Sequence, residues 1–154
     1  MNIRQLDPRD DSEWLRMRDA LWPGLAVTQH RAEMEPYRSQ PTKAVFVADR
    51  GNGRLGGFLE LNERSVADGC NSSPVAYIEG WYVDADLRQT GIGGGLVQAA
   101  EQHARAAGYE EIASDCVLGN DVSLRAHKAI GFEELHRSIH FRKSLADAGS
   151  LPSE

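Results

Sequence analysis

The sequence predicts a mixed α/β domain, an open sheet with helices packed against it. Apolar runs of strand length alternate with segments whose apolar residues recur at helical spacing. The run 75–83 is almost continuously apolar, as a central strand covered on both faces would be. A glycine-rich stretch, Arg88-Gln89-Thr90-Gly91-Ile92-Gly93-Gly94-Gly95, then joins that run to an amphipathic helix. The 154 residues, 41% hydrophobic and 26% charged, suit one globular domain with a real core.

In chain order, 3–6 is a short first strand. Asp11 and Ser12 are candidate caps for a helix carrying Trp14, Met17 and Leu21, which stops near Trp22-Pro23. A polar link, 23–29, enters a second helix over 30–38. Residues 43–48 form a strand, Asn52-Gly53 marks a hairpin turn, and 55–61 returns as the partner. A loop over 62–74 leads to the central strand. After the glycine stretch, Leu96, Val97, Ala100, Ala104 and Ala107 mark the inward stripe of a helix ended by Gly108. Residues 111–116 are strand-like, Asn120 caps a helix through 130, and Gly131 ends it. One or two last strands are expected over 132–142. The order is β-α-α-β-β-β-α-β-α-β, a single domain over 1–145 with a polar, flexible tail over 146–154.

The glycine stretch describes a backbone cradle for an anion. Gly91, Gly93, Gly94 and Gly95 allow close approach of the main chain, and the helix behind them directs unpaired N–H groups and its positive dipole end at the ligand. Arg88 adds a cation at the mouth. A Walker loop is excluded, because Gly95-Leu96-Val97 supplies neither lysine nor hydroxyl. The dinucleotide fingerprint would need glycine where Leu96 stands.

Bulk properties narrow the classes further. A net charge of −6 argues against a nucleic-acid surface and favours a cationic partner, although solubility alone also accounts for it. No apolar run approaches a membrane span. Two cysteines, Cys70 and Cys116, lack a C-x-x-C pairing and fit a reduced, cytoplasmic protein. They and five scattered histidines form no zinc spacing, so no metal is expected.

The element order, with Arg88-x-x-Gly91-x-Gly93 directly after the long strand, resembles the GNAT superfamily of N-acetyltransferases. Asn120, Ser123 and His127 on one helical face, and Ala129-Ile130-Gly131-Phe132 after them, strengthen the likeness. A narrower resemblance, to the aminoglycoside 6'-N-acetyltransferases, is carried by Leu21-Trp22-Pro23-Gly24, Gly69-Cys70-Asn71-Ser72-Ser73-Pro74-Val75, Glu79-Gly80, Ala113-Ser114-Asp115 and 139–143. Two positions depart from that group. Val66 stands where members often have an aromatic, and His136 where they often have an acid.

The resemblance implies the acyl-CoA N-acyltransferase fold with a splayed central sheet, acetyl-CoA as co-substrate, a cationic aminoglycoside as acceptor and a homodimer. It implies that Trp81, Tyr82, Val83, Arg88, Gln89, Gly91, Gly93, Gly94 and Asn120 bind acetyl-CoA, with pantetheine along the strand near Trp81 and Val83. A main-chain N–H of Tyr82 or Val83 would then meet the thioester oxyanion.

The residues themselves point to an amine acceptor. Strict alternation would place Tyr77, Glu79, Trp81 and Val83 on one side of the strand. A carboxylate in so apolar a run needs a partner or a task, and Glu79 has either an arginine mate or a catalytic role. Asp115, at the end of the adjacent strand, either caps a loop or faces a ligand. Two acids around one cleft suit a polycationic amine, with Glu79 as base and Asp115 orienting, or the reverse. His127 is the family-like acid for the departing thiolate, or else a surface histidine. Trp22 either walls the sugar site or belongs to the core, and Cys116 is inert packing rather than a nucleophile. Acetylation of another small amine or a peptide N-terminus, or a non-catalytic acyl-CoA-binding module, remain alternatives.

Overall fold

The computed structural model describes residues 1–146. Strand β1, Asn2–Gln5, leads through a short 3-10 turn, Pro8–Asp10, into helix α1, Asp11–Leu21. Trp14 and Met17 on its inner face are fully buried. Asp11 and Ser12 are not the caps. Capping occurs one turn earlier, where the Asp7 and Asp10 side chains each accept from the other's end of the 3-10 turn. Arg4 donates to both oxygens of Asp10 at 2.7 and 3.0 Å, fastening this entrance to β1. Pro23 cannot continue the helix, and the Trp22 N–H closes it onto Arg18 O at 2.8 Å.

Helix α2, Val27–Ser39, begins earlier than the expected 30 and buries His30 and Met34. Strands β2, Ala44–Asp49, and β3, Leu55–Arg64, form the hairpin. β3 outruns its apolar pattern: Asn62, Glu63 and Arg64 continue the ladder opposite Tyr77, Ala76 and Val75. Strand β4, Val75–Val83, has the expected bounds. Helix α3, Ile92–Ala106, strand β5, Ile112–Ala113, and helix α4, Asp121–Ala129, complete the elements.

The five strands lie in the order β1-β2-β3-β4-β5. All neighbours run antiparallel except β4 and β5, which pair in parallel at only Ala76↔Ile112 and Tyr77↔Ala113. Above Tyr77 they part, so β4 offers an unpaired backbone edge from Ile78 onward. On one face α3 packs Leu96, Val97, Ala100 and Ala104 against Phe46, Leu59, Leu61 and Ile78. On the other, α1 and α2 pack Trp14, Met17 and Met34 against Val45, Val47, Leu55 and Phe58.

Two expectations need correction. Strand β5 stops at Ala113 rather than continuing to 116, and residues 132–142 carry no strand. A strand exists only where a neighbouring edge takes its N–H and C=O groups. No described backbone hydrogen bond involves residues 133–146 other than a side-chain one at Ala146. Ile139, Phe141 and Leu145 there stand 78%, 92% and 84% exposed. Of the expected tail 146–154, residues 147–154 lie outside the described part of the chain.

A third correction shapes the site. The register jumps between Glu60↔Gly80 and Leu61↔Ile78, leaving Glu79 as the extra residue of a β-bulge. One inserted residue reverses the facing of everything beyond it. Trp81 and Val83 therefore share the α3 face with Ala76 and Ile78, not with Tyr77 and Glu79.

Candidate active site

At the end of β4 the chain turns through a 3-10 turn, Ala85–Leu87, and enters α3 at Gly91. Gly91 is the N-cap at φ +89°, a conformation glycine adopts without strain, and no atom lies within 4 Å of where a Cβ would stand. No side chain caps this helix. Gly95 N–H is the first to bond back, to Gly91 O at 3.0 Å, so the N–H groups of Ile92, Gly93 and Gly94 have no intrahelical acceptor. These are the donors an anion needs. Gln89 holds φ +61° beside them. Arg88 donates Nε to Val83 O at 3.1 Å, which ties the loop to the strand and leaves the rest of its exposed guanidinium available. Trp81 donates its indole N–H to Gly93 O at 3.1 Å, packing the strand beneath the first turn of α3. Tyr82 lies on the opposite face, against Phe58.

Asp84 fixes the loop from below. It accepts from Arg16 at 3.1 Å and from Arg50 at 3.0 Å. Burial opposes ionisation of Asp84, but the two guanidiniums outweigh it and hold the carboxyl below its usual range.

The acids lie on the α1/α2 face. Glu79, aimed by the bulge, accepts from Asn62 at 3.1 Å and from Arg64 at 2.9 and 2.8 Å. The arginine mate foreseen for this carboxylate therefore exists. The Arg64 guanidinium stacks 3.5 Å above the Tyr77 ring, and the Tyr77 hydroxyl donates to Asp115. Burial and the Asp115 carboxylate push that hydroxyl above the usual phenol range, so it stays a donor. Asp115 is exposed, two residues past β5 rather than within it.

His127 is held at both ring nitrogens. Its Nδ1 lies 2.7 Å from Ser123 O, a group that only accepts, so Nδ1 carries the proton. In the neutral ring Nε2 then accepts from the Ser114 hydroxyl at 2.7 Å. The ring stands edge-on to Trp81 and Phe132, with centroids 5.1 and 5.3 Å away. Asn120 caps α4 by accepting from Ser123 N at 3.1 Å.

Trp22 reaches Gly80 from the end of α1. A Cβ on Gly80 would lie 2.6 Å from the indole, so only glycine admits the ring. Behind it sits a buried polar cluster. Arg18 stacks 4.7 Å from the Trp22 ring and pairs with Glu60, which also takes the Trp14 indole N–H at 3.0 Å. Burial raises the Glu60 pKa against the opposing pull of Arg18.

A cleft of about 640 Å³ opens between the 66–71 loop, the residues after β5 and the chain after α4, walled in part by Arg64, Tyr77, Asp115, Asn120 and His127. Glu79 and Trp22 are not among its walls; Arg64 stands in front of Glu79. Val66 is 75% exposed at the rim, and His136 lies 3.5 Å from Asp68. Cys116 is an exposed free thiol rather than packing. Sequence reasoning missed Asn62, Arg64, Tyr77 and Ser114. The alternation of Asn62 with Arg64 pointed at the first two, but β3 was expected to end before them.

This site and sheet define an acyl-transferase class, and comparison agrees. Residues 14–132 match the acetyltransferase (GNAT) family, and the chain belongs to it. It is 40% identical over 146 residues to an aminoglycoside N(6')-acetyltransferase type 1 of Klebsiella aerogenes, covering 93% of this chain and 96% of the relative. With the enzyme of the same description from Serratia marcescens it is 38% identical over 133 residues, 86% and 91% of the two chains. Among solved structures it resembles AAC(6')-Iy in complex with the bisubstrate analogue CoA-S-monomethyl-acetylneamine, with a TM-score of 0.87 at 35% identity over 93% and 97% of the chains. The 6'-N-acetyltransferase AAC(6')-Ih from Acinetobacter baumannii gives 0.86 at 34% identity over 94% and 98%. No helix among the described residues is long and apolar enough to cross a membrane.

Proposed function

We propose that this protein acetylates the 6'-amine of aminoglycoside antibiotics, taking the acetyl group from acetyl-CoA by direct attack within a ternary complex. The observation that carries the reading is the uncapped glycine turn that follows β4, the strand whose edge is open beyond Tyr77 and whose bulge presents Glu79. The similarity to aminoglycoside N(6')-acetyltransferases over 93% of the chain supports it.

Acetyl-CoA supplies an activated acyl carbon on a thiolate leaving group. The residues present fit it. The free N–H groups of Ile92, Gly93 and Gly94 suit its pyrophosphate, with Arg88 at the mouth and Gln89 next in the turn, while Asn120 would meet the cofactor from the cleft wall. The edge of β4 beyond Ile78 suits the amides of pantetheine, as an added strand would. The Val83 N–H would stabilise the oxyanion, because it alternates with the Asp84 N–H that pairs with Gly56 O and so turns to the open edge, whereas that of Tyr82 faces β3.

The acceptor amine must be neutral to attack, while nearby carboxylates favour its charged form. Glu79 therefore takes the amine's proton, directly or through a water, and Asp115 holds a second ammonium in place. As the N–C bond forms the C–S bond breaks, and the thiolate takes its proton from water or from His127 in its imidazolium form, since the neutral ring commits Nδ1–H to Ser123 O and accepts at Nε2. A thiol of ordinary pKa, about 8.5, leaves tolerably well without that help. Alignment of the two reactants accounts for several kcal/mol of the barrier, on the order of 7 or more. Trp22, outside the cleft's walls, backs Gly80 of β4 from behind.

The active protein is a homodimer in the cytoplasm. The exposed apolar side chains of the unpaired 133–146 run support the dimer, and two free thiols suit a reducing compartment.

Release of CoA thiol is measured across aminoglycosides, spermidine and peptides. Kanamycin is expected to turn over, and an analogue with hydroxyl in place of the 6'-amine is expected to be inert. Turnover confined to peptides would overturn the assignment. Glu79→Gln is expected to lower kcat at least a hundredfold, in line with loss of a general base, with acetyl-CoA affinity retained.

A further inference from the structure

Arg64 stands between the cleft and Glu79. It is the last residue of β3, and its two bonds to Glu79 form a fork that occupies both carboxylate oxygens. The same guanidinium covers the ring of Tyr77, whose hydroxyl serves Asp115. One cation thus spans both acids, and it walls the cavity while Glu79 does not. Its hydrogen bond to Glu79 raises its pKa, so it is charged throughout the working range. Yet Arg64 is 42% exposed, and neither of its hydrogen bonds is to backbone. Water can receive it.

We propose that Arg64 is a built-in occupant of the acceptor's ammonium position, a competitor that must swing aside before Glu79 can meet a substrate amine. This rests on the acceptor reading of Glu79 and Asp115. Displacement weakens every cationic acceptor by a common factor and so sets a threshold. A monoamine replaces one positive charge with one, and forfeits both the fork and the ring stacking. A polyamine seats one ammonium at Glu79 and a second at Asp115, whose described partner is only a neutral phenol. Acceptors with several ammonium groups therefore clear the threshold and single amines do not. Arg64 thus sets a floor common to all acceptors, while the second ammonium at Asp115 sets the ratio between them.

Titration calorimetry of kanamycin into the CoA-loaded enzyme tests this without requiring turnover. Arg64→Gln is expected to tighten kanamycin about two- to fivefold, the range for a half-exposed ion pair, with CoA affinity unchanged. Binding of methyl 6-amino-6-deoxyglucoside, a single amine, is expected to strengthen by a similar factor. Arg64→Lys keeps the charge and loses the fork, and is expected to tighten kanamycin less than the glutamine variant does. A merely structural arginine would give equal or weaker binding in both variants, and that result overturns the proposal. Kanamycin bound but never acetylated would instead sink the proposed function alone; kanamycin acetylated with no tightening would sink only the role of Arg64.

Discussion

Glu79 owes its placement to one extra residue in a strand. That a carboxylate in so apolar a run needs a mate was legible from composition, and so was the kind of mate. The bulge was not, because strict alternation is the only facing rule a single strand offers, and a register jump belongs to the pair of strands. Trp81 and Val83 were put on the wrong face for that reason. Asp10 teaches the same lesson in stability. It is 7% exposed and joined to Arg4 by two bonds, whose effect exceeds the penalty of burial and holds the carboxyl below its usual range. Its folded pKa is thus lower than its unfolded value of about 3.9. The stabilisation is fully present above that unfolded value and is lost as pH falls through the folded one. Asp10→Asn is expected to cost about 1–3 kcal/mol at neutral pH and to flatten the acid limb of stability below about pH 4. Urea unfolding at pH 7 and at pH 3 measures both. An equal loss at the two pH values would show that the charge is not the source.

At the level of elements, helices and the central strand were legible because their signals are local. Trp14, Met17 and Leu21 repeat at helical spacing, Gly91 and Gly108 bracket α3 at φ +89° and +91°, and β4 runs from Val75 to Val83 as its apolar run does. The glycine cradle was legible for the same reason. The end of β3 was not, since Asn62 and Arg64 pair through backbone groups that residue type does not report. Gly80 shows how one element fits another. The Trp22 indole at the end of α1 occupies the space a side chain on β4 would fill, and a rigid ring cannot yield as a flexible chain end would. Gly80→Ala is expected to destabilise the fold by about 1–3 kcal/mol through overpacking. It is also expected to raise KM for the aminoglycoside by tilting Trp22, while acetyl-CoA binding persists. Thermal unfolding and steady-state kinetics check the pair of effects, and an unchanged acceptor KM would show that the packing of Trp22 on Gly80 does not support that site.

For the whole molecule, the decisive contrast is between a closed core and an open end. Two faces of the sheet are covered by helices, yet β5 pairs at only two positions and the described residues after α4, up to 146, make no strand. The expectation of a last strand over 132–142 was sound as propensity, with Ile139 and Phe141 alternating among polar residues. It failed because this run takes up no described edge, although β4 beyond Tyr77 and the outer side of β5 stand open. Backbone groups without partners and apolar side chains exposed to water both cost free energy, and both costs are relieved if a second copy supplies the missing surface. An arm of this kind placed near the 66–71 loop would also let one subunit stiffen the acceptor cleft of the other. Sedimentation velocity is expected to give a mass near twice 17.0 kDa at micromolar concentration. Ile139→Glu with Phe141→Glu is expected to shift it to that of a single chain while far-ultraviolet circular dichroism stays the same. A wild-type protein sedimenting as one chain would leave these side chains without a partner of their own kind, and an unmoved dimer in the double variant would place the interface elsewhere.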